Sequence, residues 1–174
     1  AGIAFVGSGP VASPPPSISE KIETLLGAMT LEEKVGQMTQ VTIDVVSQTP
    51  DAKKPQHALD RKKLAYAVLD RHVGSILNVG EQAYTIDHWH DVITAIQDVA
   101  TKKSRLKIPI LYGIDAIHGV NYTHGATLFP QAISLAATWN TELARKEGEI
   151  TAYEMRASGI PWNFYPVLDV GRQP

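Results

Sequence analysis

The chain has no cysteine among its 174 residues, so disulfides and thiolate metal sites are excluded. It also lacks a strong charge of either sign, with a formal net charge of −2. A nucleic-acid binder ordinarily needs a basic patch that displaces counterions from phosphates. The longest basic run here is Lys102-Lys103-Ser104-Arg105, which reads as a solvated helix end favoured by the helix dipole. No nucleic-acid partner is expected. No apolar run approaches the ~18 residues of a membrane-spanning helix, so no membrane partner is expected either. The GxSxG elbow, the Walker loop and the GxGxxG fingerprint are all missing. Gly7-Ser8-Gly9 precedes no helical pattern and is not a phosphate loop.

What is present is ordinary globular composition, 44% apolar and 20% charged, enough for one domain with a buried core. Residues 1–17, rich in Gly, Ala, Ser and Pro, read as a flexible N-terminal arm. This opening stretch carries no basic leader of the intact secretory type, and its composition fits what remains after such a leader is removed. The expected location is secreted or periplasmic. Residues 18–174 form the folded portion.

Within that portion helical and strand patterns alternate. Ile22, Leu25, Leu26 and Met29 mark one helix face. Thr30 and Glu33 have capping-box spacing, which predicts a short helix from Leu31, followed by a strand over Val35 to Val41. Thr42 to Pro55 reads as a long loop. Asp60 caps a helix reaching Arg71, with Leu64, Ala67 and Val68 inward, and Gly74 to Gly80 encloses a buried strand. Trp89, Val92, Ile93, Ile96 and Ala100 recur at helical spacing. Ile108 to Leu111, extending to Tyr112, reads as an apolar strand, and Thr127 to Trp139 as irregular chain. Asn140 caps a helix whose small residues Ala144, Gly148, Thr151 and Ala152 share a face with Met155 and suit close approach to a sheet. Ile160 to Val167 reads as a fourth strand. Unbroken apolar strands between amphipathic helices imply a parallel sheet of βαβ units. Both an open doubly wound sheet and a (β/α)8 barrel fit, and eight such units would need roughly twice this length, in line with the ~250 residues or more of typical barrels.

Asp115 is the candidate site residue. It follows an apolar strand, and the carboxyl ends of parallel strands form the working face in either architecture. An ionised carboxylate there accepts charge-assisted hydrogen bonds from vicinal hydroxyls. The competing reading makes Asp115 a cap or a tie within its own loop. His118 reads as a packed, hydrogen-bonded residue. His88 and His90 are two apart on a helix and point to different sides, so no metal site is expected. Glu147, Glu149 and Glu154 read as solvent-facing or paired.

Several ordered stretches resemble the N-terminal domain of glycoside hydrolase family 3. They are Leu26 to Met38, Ile108-Pro109-Ile110-Leu111-Tyr112-Gly113-Ile114-Asp115-Ala116-Ile117-His118-Gly119, Gly125 to Gln131, Ala152 to Ile160 and Pro166-Val167-Leu168-Asp169-Val170. The resemblance spans Ile18 to Pro174. It implies the first half of a (β/α)8 TIM-type barrel and a retaining β-glycosidase, foremost a β-glucosidase, with β-xylosides as a related substrate class. The implied partners are a β-linked oligosaccharide or glucoside and the remainder of the same polypeptide, with no cofactor. Asp115 matches the family's Asp that holds sugar hydroxyls in the innermost subsite. The family's nucleophile lies on a later strand and its acid in a following domain, so no catalytic residue is expected in this chain. The family's sugar-binding Asp-Pro-Arg-Trp-Gly-Arg-like run begins after the position of Arg172, where this chain has Gln173 in place of the usual Asp.

Overall fold

The computed structural model describes residues 16–49, 57–79 and 82–167. The arm expected over 1–17 lies outside them, apart from Pro16 and Ser17. Ser17 opens helix α1 (Ile18–Ala28) with a capping box to Glu20. Helix α2 (Leu31–Gln37) starts the same way: Glu33 N–H donates to Thr30 Oγ1 at 3.2 Å and Thr30 N–H to Glu33 Oε2 at 2.9 Å. This cap carries the helix through Val35, so the strand expected from Val35 begins only at Gln40. Strand β1 is Gln40–Thr42.

The loop expected after Thr42 contains a 3-10 helix at Ile43–Val46 and a bridge from Ser47 to Leu59. Asp60 caps helix α3 (Arg61–Ala65), which widens into a π-type turn over Tyr66–Asp70 with Leu64, Ala67 and Val68 buried as expected. Strand β2 is Ser75–Leu77 and helix α4 is Ile86–Asp98. Strand β3 is Leu111–Ile114, three residues later than the apolar run suggests. The reason is Gln97 on α4: its Nε2 donates to Ile110 O at 2.7 Å and its Oε1 accepts from Ile110 N at 3.1 Å. Both backbone groups of Ile110 are thereby taken from the ladder, and Pro109 has no N–H to offer. The stretch expected to be irregular holds a short helix α5 (Ala132–Ala137). Helix α6 (Thr141–Ala157) is capped by Asn140, and strand β4 is Trp162–Asn163. Pro161 and Pro166, without N–H groups, confine β4 to less than the expected Ile160–Val167.

The four strands are parallel and lie in the order β1-β2-β3-β4. This order decides between the two candidate architectures. A doubly wound sheet reverses its strand order at a switch point, whereas strands laid down strictly in sequence belong to a sheet that winds one way into a barrel. Right-handed crossovers then put every helix on one face. In register, Val41, Ile76 and Tyr112 lie side by side, and Ile76 and Tyr112 are completely buried under the helices. The opposite face carries Leu111, 45% exposed. Among the described residues, the core lies on the helix side of this sheet. At its centre Trp89 of α4 packs between Tyr84 (4.8 Å) and Tyr112 (5.6 Å), and its Nε1 donates to Tyr122 O at 3.1 Å. Burying such a side chain contributes about 1.5–3 kcal/mol, and here it also fixes the loop after β3.

Arg105 adds a long-range tie to its basic run. Exposed as expected, it is also engaged: it donates to Glu33 through Nε (2.9 Å) and Nη2, and to Ala28 O at 2.8 Å. The guanidinium, with the Thr30 N–H, lowers the Glu33 carboxyl from 4.5 to about 2. A lowered folded-state pKa stabilises above the unfolded value and is lost as pH falls through the folded one. Wild type is therefore expected to lose more stability than Glu33→Gln between pH 4.5 and about 2. Urea midpoints across that range read the difference; parallel curves for the two proteins would remove Glu33 from the acid response.

Candidate functional site

Asp115 comes directly after β3, and its side chain alternates to the side of Gly113, away from the helices. It is half-buried. Its Oδ2 accepts from Asn78 Nδ2 at 3.1 Å, and its own N–H donates to Asn78 Oδ1 at 3.2 Å. The partner is 37 residues away, at the end of β2. Asp115 therefore does not cap a helix or tie down its own loop, the competing reading of its carboxylate. The other carboxylate oxygen accepts no hydrogen bond from the described residues.

Asn78 is held as firmly as it holds. Its φ of 60° lies in the left-handed region, which Asn tolerates better than other side chains bearing a Cβ. Its N–H donates to Gly113 O at 2.9 Å, and the buried Tyr112 hydroxyl donates to its carbonyl. Asn78 was not singled out from sequence. The signal was available, since it follows Ile76 and Leu77 as Asp115 follows Ile114, a polar residue at the carboxyl end of an apolar strand.

Asn163 on β4 makes the next tie. Its Oδ1 accepts from Ala116 N and Tyr165 N, each at 3.1 Å. Gly113 lets the aromatics of this strand close in: a Cβ there would sit 2.5 Å from Phe164 Cζ and 3.1 Å from Trp162 Cε3. The two rings meet edge-on, 4.6 Å apart. Tyr122 stands near Asp115, and burial, followed by the Asp115 charge, pushes its phenol up. Farther out, Glu154 of α6 accepts from Thr127 N and Thr127 Oγ1 (2.8 Å to the hydroxyl), which pins the loop after Gly125. Glu154 is thus paired, and exposed Glu149 meets Arg145.

His118 is not brought to Asp115. Its neighbour is Glu147, and its buried Nδ1 has no hydrogen bond among the described residues, where a hydrogen-bonded ring is expected. Glu147 is only 5% exposed, which corrects the expectation of a solvent-facing or paired residue. Ala144, Gly148 and Ala152, expected to bring the helix close to the sheet, instead stand exposed. His88 and His90 diverge as expected: His88 Nε2 lies 3.3 Å from His57 Nδ1, and His90 Nε2 lies 2.7 Å from Ala157 O. Burial, then the neighbouring His88, lowers His57 to about 4. The site is thus a carboxylate with one oxygen fixed and the other without a hydrogen bond from the described residues, at the end of the third strand of a sequentially ordered parallel sheet.

The glycosyl hydrolase family 3 N-terminal domain matches residues 30–174. The chain belongs to glycoside hydrolase family 3. It is 40% identical over 161 residues to a lysosomal beta glucosidase of Dictyostelium discoideum, covering 88% of this chain and 19% of that one. It is 30% identical over 153 residues to a periplasmic beta-glucosidase of Salmonella typhimurium, covering 88% and 17%. Among solved structures, an exo-1,3/1,4-beta-glucanase from a Pseudoalteromonas species superposes with a TM-score of 0.69 at 31% identity, over 89% of this chain and 18% of that one. A beta-glucosidase from Listeria innocua in complex with glucose gives 0.65 at 28% identity, over 91% and 20%. The chain spans about a fifth of the length of these family 3 relatives. Its four parallel strands, joined by helical crossovers, form part of the family's (β/α)8-type barrel.

Proposed function

We propose that the polypeptide carrying this family 3 chain is a retaining β-glycosidase, foremost a β-glucosidase, acting on terminal β-linked sugars. Asp115 is its sugar-holding carboxylate. The observation that supports this is the division of labour at Asp115: Asn78 fixes one oxygen, and the other accepts no hydrogen bond from the described residues and can accept from a ligand hydroxyl. Retaining hydrolysis needs a carboxylate that attacks the anomeric carbon and an acid that protonates the leaving oxygen. Glu154 is committed to Thr127, and Asp115 is braced by Asn78 at the end of β2. Residues 1–174 supply sugar binding, and the rest of the polypeptide supplies nucleophile and acid.

Relatives named as a lysosomal and a periplasmic beta-glucosidase favour glucosides and a secreted or periplasmic location. Among the described residues, no helix is long and apolar enough to cross a membrane. The test uses an aryl β-glucoside, an aryl β-xyloside and an activated 2-fluoro-glucoside. The complete polypeptide is expected to hydrolyse the glucoside faster and to retain a covalent fluoro-sugar on a carboxylate outside residues 1–174, located by mass spectrometry. The 174-residue chain alone is expected to give no turnover. Label on Asp115, or turnover by the chain alone, would overturn the assignment of roles. Glucose binding by the complete polypeptide without turnover would make it a non-catalytic sugar-binding barrel.

A further inference from the structure

A second polar cluster forms where the chain leaves β1 and β2. Ser47 follows the 3-10 helix after β1, His57 comes shortly before α3, and His88 stands in the first turn of α4. Ser47 is buried, and its hydroxyl donates to Ile43 O at 2.7 Å. The same oxygen lies 2.7 Å from His57 Nε2. A hydroxyl has one proton, and the carbonyl can only accept it. His57 Nε2 therefore carries a proton and donates to Ser47. This excludes Ser47 as a nucleophile activated by His57, because the histidine is the donor. It also leaves the other ring nitrogen, Nδ1, with a bare lone pair.

That lone pair faces His88 Nε2 at 3.3 Å, with the ring planes at 74°. Both imidazoles are half-buried. Buried Tyr84 stacks on His57 (4.9 Å) and meets His88 edge-on (4.8 Å), which holds the two rings in place. The 3.3 Å separation exceeds the ~2.7–3.2 Å usual for N–H donors. It does match the edge of a coordination tetrahedron: two nitrogens each ~2.0–2.1 Å from a zinc ion lie about 3.3–3.4 Å apart. Imidazoles that bind a metal ordinarily donate their other N–H to an oxygen, and His57 already does so to Ser47. Asp44 is near enough for its charge to favour a cation at His57.

We infer that His57 Nδ1 and His88 Nε2 form a two-histidine site for a divalent late transition metal, zinc foremost. Among the described residues no third His, Cys, Asp or Glu completes a cage, so water fills the remaining positions. The proton on His88 Nε2 shifts to its own Nδ1 on binding, and both rings stay neutral. The metal clips the chain before α3 to α4 across 31 residues. The spacing of His88 and His90 excluded a pair within α4, and no spacing along the chain announces a partner so far away. The site stands or falls independently of the sugar reading.

Zinc titration of the complete polypeptide, first stripped with a chelator, tests the site, with free zinc read by a chromophoric indicator. Wild type is expected to bind one zinc ion that His57→Gln and His88→Gln each hold at least about tenfold more weakly. His90→Gln, whose native ring lies against Ala157 O instead, is expected to bind as wild type does. Carbethoxylation of histidines, read by peptide mass spectrometry, gives a second measurement that needs no variant and so survives misfolding of either. In wild type, zinc is expected to slow modification of His57 and His88 at least about tenfold while leaving exposed His90 unchanged. Identical zinc isotherms for wild type and both folded variants would overturn the site. Rates at His57 and His88 that are the same with and without zinc would overturn it as well.

Discussion

Asp115→Asn in the complete polypeptide is expected to lower kcat/KM on an aryl β-glucoside by roughly 10²–10³-fold, with kcat carrying much of the loss. The substitution is isosteric, so the loop after β3 should keep its course. Asn78 decides the outcome. Its Nδ2 needs an acceptor, and it now has Asp115 Oδ2 at 3.1 Å. An Asn side chain at this position satisfies it only by turning its carbonyl oxygen toward Asn78. Its amide nitrogen then occupies the place of the other carboxylate oxygen. A sugar hydroxyl that donated to an anionic acceptor meets another donor instead. Charge-assisted hydrogen bonds contribute about 1.5–3 kcal/mol each, and a sugar held through two hydroxyls loses both. Contacts that tighten as the ring flattens toward the oxocarbenium-like transition state fall on kcat as well as KM. Steady-state kinetics on a folded variant provide the measurement. A kcat within a few-fold of wild type would return Asp115 to a purely structural role.

Gly119→Ala is expected to cost about 3–5 kcal/mol of stability, among the largest effects of any single methyl group in this chain. Gly119 has φ +97°, and a Cβ built on it would lie 2.0 Å from Thr127 O. No side-chain rotation relieves this contact, because a Cβ is fixed to the backbone and the atom it meets is a carbonyl. The chain at residues 127–129, bridged to Gly119 through Leu128, would have to move. That movement would loosen the 2.8 Å bond from Phe129 N to His118 O and the grip of Glu154 on Thr127. Gly125 supplies the control. It too has a positive φ, +83°, but a Cβ there would have nothing within 4 Å. Gly125→Ala should therefore show left-handed backbone strain alone, about 1–2 kcal/mol. Urea midpoints for the two variants separate clash from strain. Equal losses would mean that the approach of residues 127–129 to Gly119 is not a tight one in solution.

What the sequence determined by itself was the local chemistry. Thr30 with Glu33, Asp60, and Asn140 each satisfy helix N–H groups within three residues of themselves, so spacing alone exposes the cap. The inward face of α4 was legible because Trp89, Val92, Ile96 and Ala100 repeat at the helical period. Parallel βαβ units followed from that alternation, and the ordered motifs around Asp115 carried the family. Strand boundaries were not legible, since Ile110 looks like any strand residue until Gln97 takes its backbone groups.

Tertiary structure alone decided the rest. The sequential strand order agrees with the barrel that the family resemblance implied and that periodicity alone had left open against a doubly wound sheet. It also brought Asn78 to Asp115 across 37 residues and Arg105 to Glu33 across 72. The same packing turned Glu147, one acidic residue among several on its helix, into a buried carboxyl. The physical reason is range. Caps and periodicity act within a turn or two of chain, where sequence separation is distance. The environment of a carboxylate depends on what the sheet register and the helix layer place against it, and no spacing along the chain records that. Asp115 could be recognised as a polar residue at a strand end. That Asn78, from the end of another strand, fixes one of its oxygens was a decision of the fold.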